Sequence, residues 1–226
     1  MKIEFNLLEN AHDSLDRAFE LIVWGDQQHE ARRLKQAVQA VAHAIELFLK
    51  ERLRRLHPSL IWENVDQYPN LNARTVGAER AAERLKSIGA VDFHGDDLQL
   101  LRALRATRNA IEHFAWTTTK QEADAILGRS LEFAFHFARQ ELAFEYLDYG
   151  QYKDGTYHEL LMSNPEFGRA AERRKMNRSS ANPPELLVCS VCRAKAVDSV
   201  TRSCRLCGHW EPEPSSVEPY DDDIPF

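Results

Sequence analysis

The chain has no apolar run long enough to cross a bilayer: Arg and Lys interrupt every such run well short of the ~20 residues a membrane helix needs. Its first ten residues also lack the basic-then-apolar order of a secretion signal, carrying Lys2, Glu4 and Glu9 instead. The expectation is a cytoplasmic protein with no membrane partner. The first 188 residues contain no cysteine, and all four cysteines fall in the C-terminal part of the chain. Nine glycines and nine prolines in 226 residues exclude collagen-like and low-complexity classes. No internal repeat is evident beyond two cysteine pairs. What is present, 43% hydrophobic and 28% charged residues, is the composition of an ordinary globular protein. A chain of this length accommodates one core-forming domain and a small appendage.

The net charge of -6 is unevenly distributed. Residues 1–168 hold 20 Lys and Arg against 26 Asp and Glu, residues 169–210 hold 9 against 3, and residues 211–226 hold 0 against 6. A basic stretch beside an acidic tail is either a polyanion footprint or a solvated linker compensated by that tail. The tail could also act as a built-in competitor for a basic groove.

Helical periodicity dominates the first 150 residues. Asn6 to Glu9 forms a capping-box pattern that opens a helix to about Trp24, with Gly25 as its stop. From about Gln27 to Leu56, the residues Leu34, Val38, Val41, Ile45, Phe48, Leu49 and Leu53 recur at three- and four-residue steps, the stripe of a long amphipathic helix. Residues 57–75, with Pro58 and Pro69, read as a loop whose Leu60, Ile61 and Trp62 must still cover core. A short helix follows from Val76 to Ile88. Capping-box patterns at Asp96–Gln99 and Thr119–Glu122 launch helices to about Trp116 and Gly150. The fold class is all-α, an antiparallel helical bundle. Leu131, Phe133, Phe135, Phe137, Phe144 and Tyr146 give the last long helix more aromatic surface than one bundle face needs, which dimerisation would explain.

The expected organisation is a bundle over 1–150, short helices and a basic linker over 151–184, a zinc ribbon over 185–210, and an acidic flexible tail over 211–226. A short helix is expected from Pro165 to Met176. The ribbon is expected because Cys189, Cys192, Cys204 and Cys207 form two Cys-x2-Cys turns within 19 residues, each able to point two thiolates at one ion. So small a segment would draw its folding free energy from the metal. One structural Zn2+ per chain is expected, although iron takes the same ligand set, and the competing readings are two disulfides or a redox dithiol pair. Four thiolates leave no open coordination position, so the metal would be a clip and not a catalyst. Arg193, Lys195, Arg202 and Arg205 beside it could meet nucleic acid or a partner chain.

The fourth helix contains an anomaly. Leu101, Leu104, Ile111 and Ala115 fall within ~80° of one another at ~100° per residue, and Arg108 sits in the middle of that stripe. A guanidinium there needs a carboxylate, a partner chain or a bound anion such as phosphate. A salt bridge to Glu46 of the second helix is the plain alternative. Arg102, Arg105, Asn109 and His113 lie on an adjacent polar strip. His113 could exchange a proton with a ribose 2′-hydroxyl or a leaving oxygen, Arg108 could stabilise a pentacoordinate phosphate, and Asn109 could orient either. Among the other histidines, His43 reads as a polar-face residue and His136 as a member of an aromatic cluster.

The pattern Arg108-Asn109-Ala-Ile-Glu-His113, on a bundle helix after a long amphipathic one, resembles the HEPN family (higher eukaryote and prokaryote nucleotide-binding domain) over about residues 5–150. The resemblance implies a metal-independent endoribonuclease whose Arg108, Asn109 and His113 are catalytic, with Glu46 matching an acidic residue on the preceding helix and Arg105 and Arg102 in support. It also implies a homodimer with a composite RNA site, and a bacterial toxin or antiviral-defence role with a protein regulator or antitoxin. Composite sharing would relieve a geometric difficulty, since Arg108 and His113 point ~140° apart on a regular helix. The competing expectation is a noncatalytic dimeric scaffold whose ribbon binds nucleic acid or a protein.

Overall fold

The computed structural model describes residues 3–25, 27–144, 156–178, 186–191, 195–204 and 209–212, and these are mostly helical. Helices α1 (Leu7–Val23), α2 (Glu30–Leu56), α3 (Ala78–Ile88), α4 (Asp97–His113), α5 (Lys120–Leu142), α6 (Thr156–Ser163) and α7 (Pro165–Arg178) precede a two-stranded antiparallel sheet. Its strands are β1 (Leu186–Val188) and β2 (Lys195–Asp198), with Leu186 opposite Asp198 and Leu187 opposite Val197. No helix among the described residues is long and apolar enough to cross a membrane.

Local chemistry accounts for the helix ends. The Asn6 side chain accepts from the Glu9 backbone N–H and the Glu9 carboxylate accepts from the Asn6 N–H, both at 2.9 Å, closing the box that starts α1. Thr119 and Glu122 do the same for α5. The pattern at Asp96 behaves differently. Asp96 makes no side-chain cap, and the Asp97 carboxylate accepts from the His94 N–H at 3.0 Å and from Arg174. α4 also ends at His113, not at Trp116. Tyr146 and the stretch toward Gly150 lie outside the described residues.

Helix α2 is the central element, touching α1, α3, α4 and α5. All seven stripe residues from Leu34 to Leu53 are buried, so its stripe became the core as periodicity required. The loop after α2 is fixed by polar contacts. Buried Trp62 donates its indole N–H to the Asn70 carbonyl at 2.7 Å, and Arg84 of α3 donates to the carbonyls of Leu60 and Trp62 at 2.6 Å and of Glu63 at 2.8 Å.

Four of the aromatic residues that the sequence assigned to the last long helix meet other rings within the chain. Phe133 and Phe137 are buried and stack against Phe93, while Phe135 meets Phe167 of α7 edge-on at 5.6 Å. Phe144 packs on His12 and Phe48. Phe133 and Phe137 are thus buried within the chain, while Phe135 and Phe144 are half-buried. His136 lies 6.3 Å from His94, ring centre to ring centre.

Helices α6 and α7 pack on α1 and α5 through Leu160, Leu161, Phe167, Ala170 and Ala171. Gly128 of α5 permits the approach: a Cβ there would lie 2.4 Å from the Phe167 nitrogen and 2.6 Å from the Glu166 carbonyl carbon. Arg174 of α7 completes the seam, donating from Nε to both Glu132 oxygens at 2.7 Å and from Nη2 to Asp97 at 2.7 Å. Part of the basic segment is thus spent inside the chain. Arg169 likewise pairs with Glu166, and Arg202 donates to the backbone carbonyls of Glu211 and Pro212.

Candidate functional site

Five residues before the end of α4, Arg108 leaves the core stripe and reaches α2. Its Nη1 donates to Glu46 at 3.2 Å and its Nε to Glu112, one turn on, at 2.8 Å. Lys50 of α2, itself buried, donates to the other Glu46 oxygen at 2.6 Å and to the Thr75 hydroxyl at 2.9 Å. Charges therefore alternate from Lys50 through Glu46 and Arg108 to Glu112. Burial opposes the charge on Arg108, and the hydrogen bonds and charges of Glu112 and Glu46 outweigh it, so the guanidinium ionises more firmly than an ordinary arginine. With Nε and one Nη1 proton engaged, Nη2 has no partner among the described residues and still presents two donors.

The other residues singled out on α4 are less constrained. His113 is two-thirds exposed, its nearest carboxylate being Glu112 at 3.9 Å. Phe114, 76% exposed, lies beside it with ring centres 6.4 Å apart. Asn109 and Arg102 are exposed and have no partner among the described residues, and Arg105 pairs with Glu79 of α3 at 3.2 Å. The structure thus joins Arg108 to Glu46 and leaves Asn109 and His113 at the surface.

A residue that the sequence did not mark as functional stands in the same cluster. His43, one turn before Glu46, bonds through Nδ1 to the Ser14 hydroxyl of α1 at 2.9 Å. Burial lowers its pKa most; Glu46 works the other way, and Arg108 and Lys50 reinforce the lowering. No sequence signal could have found it, because its partner lies 29 residues away on another helix.

The chain matches no family model, no curated protein and no solved structure.

A cleft of about 320 Å³ at the other end of α4 is lined by His94, Asp97, Arg129, Glu132 and Arg174, and by none of the residues that the sequence singled out. In the C-terminal sheet, Cys189 directly follows β1, and Cys204 bridges Val197 of β2 through its backbone. Both cysteines are buried. Cys192 and Cys207 lie outside the described residues. The neighbouring backbone is tied down: the Cys204 N–H donates to the His209 carbonyl at 2.7 Å, and the Glu211 carboxylate accepts from the Ser190 N–H. Cys189 and Cys204 both belong to the hydrophobic core cluster.

Proposed function

We propose that this chain is a metal-independent endoribonuclease of the HEPN type, cytoplasmic and homodimeric, which cleaves RNA by attack of a ribose 2′-hydroxyl on the adjacent phosphorus. The observation that carries this reading is Arg108: a guanidinium drawn out of an apolar stripe, held rigidly by Glu46 and Glu112, with Nη2 left to grip a phosphate oxygen. A cation fixed in that way stabilises the extra charge of a pentacoordinate phosphorus without reorganising. His113 supplies an imidazole within one and a half turns, and Asn109, Arg102 and Arg105 extend the polar strip toward the RNA backbone. The exposed His113 and Phe114 at the helix end are where a second copy, related by a two-fold axis, would complete a composite site. The resemblance behind this reading carries with it the role of a bacterial toxin or antiviral-defence effector, restrained by a protein regulator or antitoxin.

In the same proposal, Cys189, Cys192, Cys204 and Cys207 hold one structural zinc, making the C-terminal sheet a zinc ribbon. A tetrahedron filled by thiolates leaves no position for water or substrate, so the ion supplies rigidity only.

A second reading is favoured by the charge balance at Arg108. Two carboxylates compensate the guanidinium within the chain, which suffices for a structural arginine in a noncatalytic dimeric scaffold whose ribbon contacts nucleic acid or a protein. Incubation of mixed RNA with wild type, Arg108→Ala and His113→Ala in EDTA separates the two. The ribonuclease reading expects cleavage by wild type alone, with 2′,3′-cyclic or 3′-phosphate ends. RNA that survives wild type, or is cut equally by Arg108→Ala, refutes it.

A further inference from the structure

In-line attack within RNA needs one group to take the 2′-hydroxyl proton and another to protonate the leaving 5′-oxygen. His113 is poorly placed to take the first proton, being two-thirds exposed, with no described group oriented on its ring at hydrogen-bonding distance. His43 has what His113 lacks. The Ser14 hydroxyl has a single proton, and it donates it to the Asn10 carbonyl at 2.9 Å, as a serine in a helix often does toward the residue four positions before it. At the 2.9 Å contact with His43, Ser14 must therefore accept, so the imidazole proton resides on Nδ1 and the lone pair on Nε2. The ring is thus locked in one tautomer and one orientation by a neighbouring helix, the arrangement expected of a working base.

The charged groups that act on His43 are Glu46 and Lys50 from its own helix and Arg108 from α4, while α1 faces it with Ser14. Glu46, three residues on, lies on the same side of α2 and carries Arg108 at its other end. An RNA phosphate gripped by Arg108 is thereby brought to the part of α2 that bears His43.

We infer that His43 is the general base of the Arg108 site, a role that rests on the ribonuclease reading above. The 2′-O–H bond breaks and its proton passes to Nε2 of His43. The freed electron pair forms the bond from the 2′-oxygen to phosphorus. The bond from phosphorus to the 5′-oxygen breaks with its electron pair on that oxygen, which takes a proton from the imidazolium of His113. The products are a 2′,3′-cyclic phosphate and a 5′-hydroxyl. Solvent then removes the proton from His43 and restores the one on His113. Ser14 is a positioning residue.

The test is single-turnover cleavage of mixed RNA between pH 5 and 9 by wild type, His43→Gln, Ser14→Ala and Arg108→Ala, each shown to be folded by circular dichroism. Long-range 1H–15N spectra of the His43 ring are recorded alongside. His43→Gln is expected to lose on the order of 10²–10⁴-fold in rate and to lose the acid limb of the profile. Ser14→Ala should show a smaller loss, and wild-type spectra should show the proton on Nδ1. A folded His43→Gln that cleaves within about threefold of wild type with its acid limb intact, while Arg108→Ala is dead, overturns the role of His43 and leaves the ribonuclease reading standing. A proton on Nε2 overturns it as well. Absence of cleavage by wild type brings down both.

Discussion

Replacing Arg174 with methionine tests how α7 is held to the helical core. Its guanidinium makes four hydrogen bonds, two at 2.7 Å to Glu132 and two, at 2.7 and 3.1 Å, to Asp97. Asp97 and Glu132 are 7% and 8% exposed and come from two different helices. Methionine keeps the aliphatic bulk, so the loss isolates charge and hydrogen bonding from volume. Breaking a buried ion pair from one side costs ~3–5 kcal/mol because the remaining charge stays desolvated. The His94 N–H still donates to Asp97, which places the expected loss toward the lower end. At ~2–4 °C per kcal/mol for a chain of this size, a loss near ~3 kcal/mol should lower the melting temperature by about 6–12 °C. Thermal unfolding followed by circular dichroism reads this directly. The triple variant with Asp97→Asn and Glu132→Gln should recover most of the loss, since no buried charge is then left uncompensated. A single variant that loses less than ~1 kcal/mol, as an exposed pair would, refutes the reasoning.

Gly128→Ala places a methyl against the backbone of Phe167 and Glu166, so hydrogen exchange should accelerate in α6 and α7 but not in α1 and α2; protection unchanged throughout would contradict the close approach. Burial first, then Arg108 and Lys50 against Glu46, holds His43 below the usual ~6.5, so the unfolded chain binds a proton that the folded one does not. The stability from neutral His43 is therefore complete above about pH 6.5 and lost as pH falls through that value toward the lower folded pKa. Urea denaturation from pH 7 to 5 should show a steeper decline for wild type than for His43→Gln, and parallel declines would count against it. For the metal, plasma mass spectrometry should find one zinc per chain, lost in Cys204→Ser while the melting of the helical core is retained; equal zinc in that variant would remove Cys204 from the ligand set.

Much of the helical architecture was legible because its determinants are local. The boxes at Asn6 and Thr119 formed where spacing placed them, and the α2 stripe became core. Arg108 stood out because periodicity set it among leucines, and Glu46 was its foreseeable partner. What the sequence withheld depends on contacts between distant segments. Asp96 fits a capping pattern, but Asp97 beside it is engaged by Arg174, 77 residues later, and by the His94 amide. Nothing local reveals that Phe93 and Phe167 meet the aromatic residues of α5, or that Phe144 turns back onto Phe48. His43 read as a polar-face residue, and its bond to Ser14 on α1 lies beyond local sequence.

The seam between α5 and α7 also has an evolutionary consequence. At Gly128 backbone approaches backbone, so any side chain forces the helices apart. Asp97, Glu132 and Arg174 gain from one another only as a set, because losing one member strands the others. Asp97, Glu132 and Arg174 are therefore expected to change together, while Gly128 is held separately by the close backbone approach. A glycine four residues before an acidic residue on one helix, with an aspartate opening the helix before it and an arginine on a later one, is thus the pattern by which a diverged relative sharing this docking would be recognised.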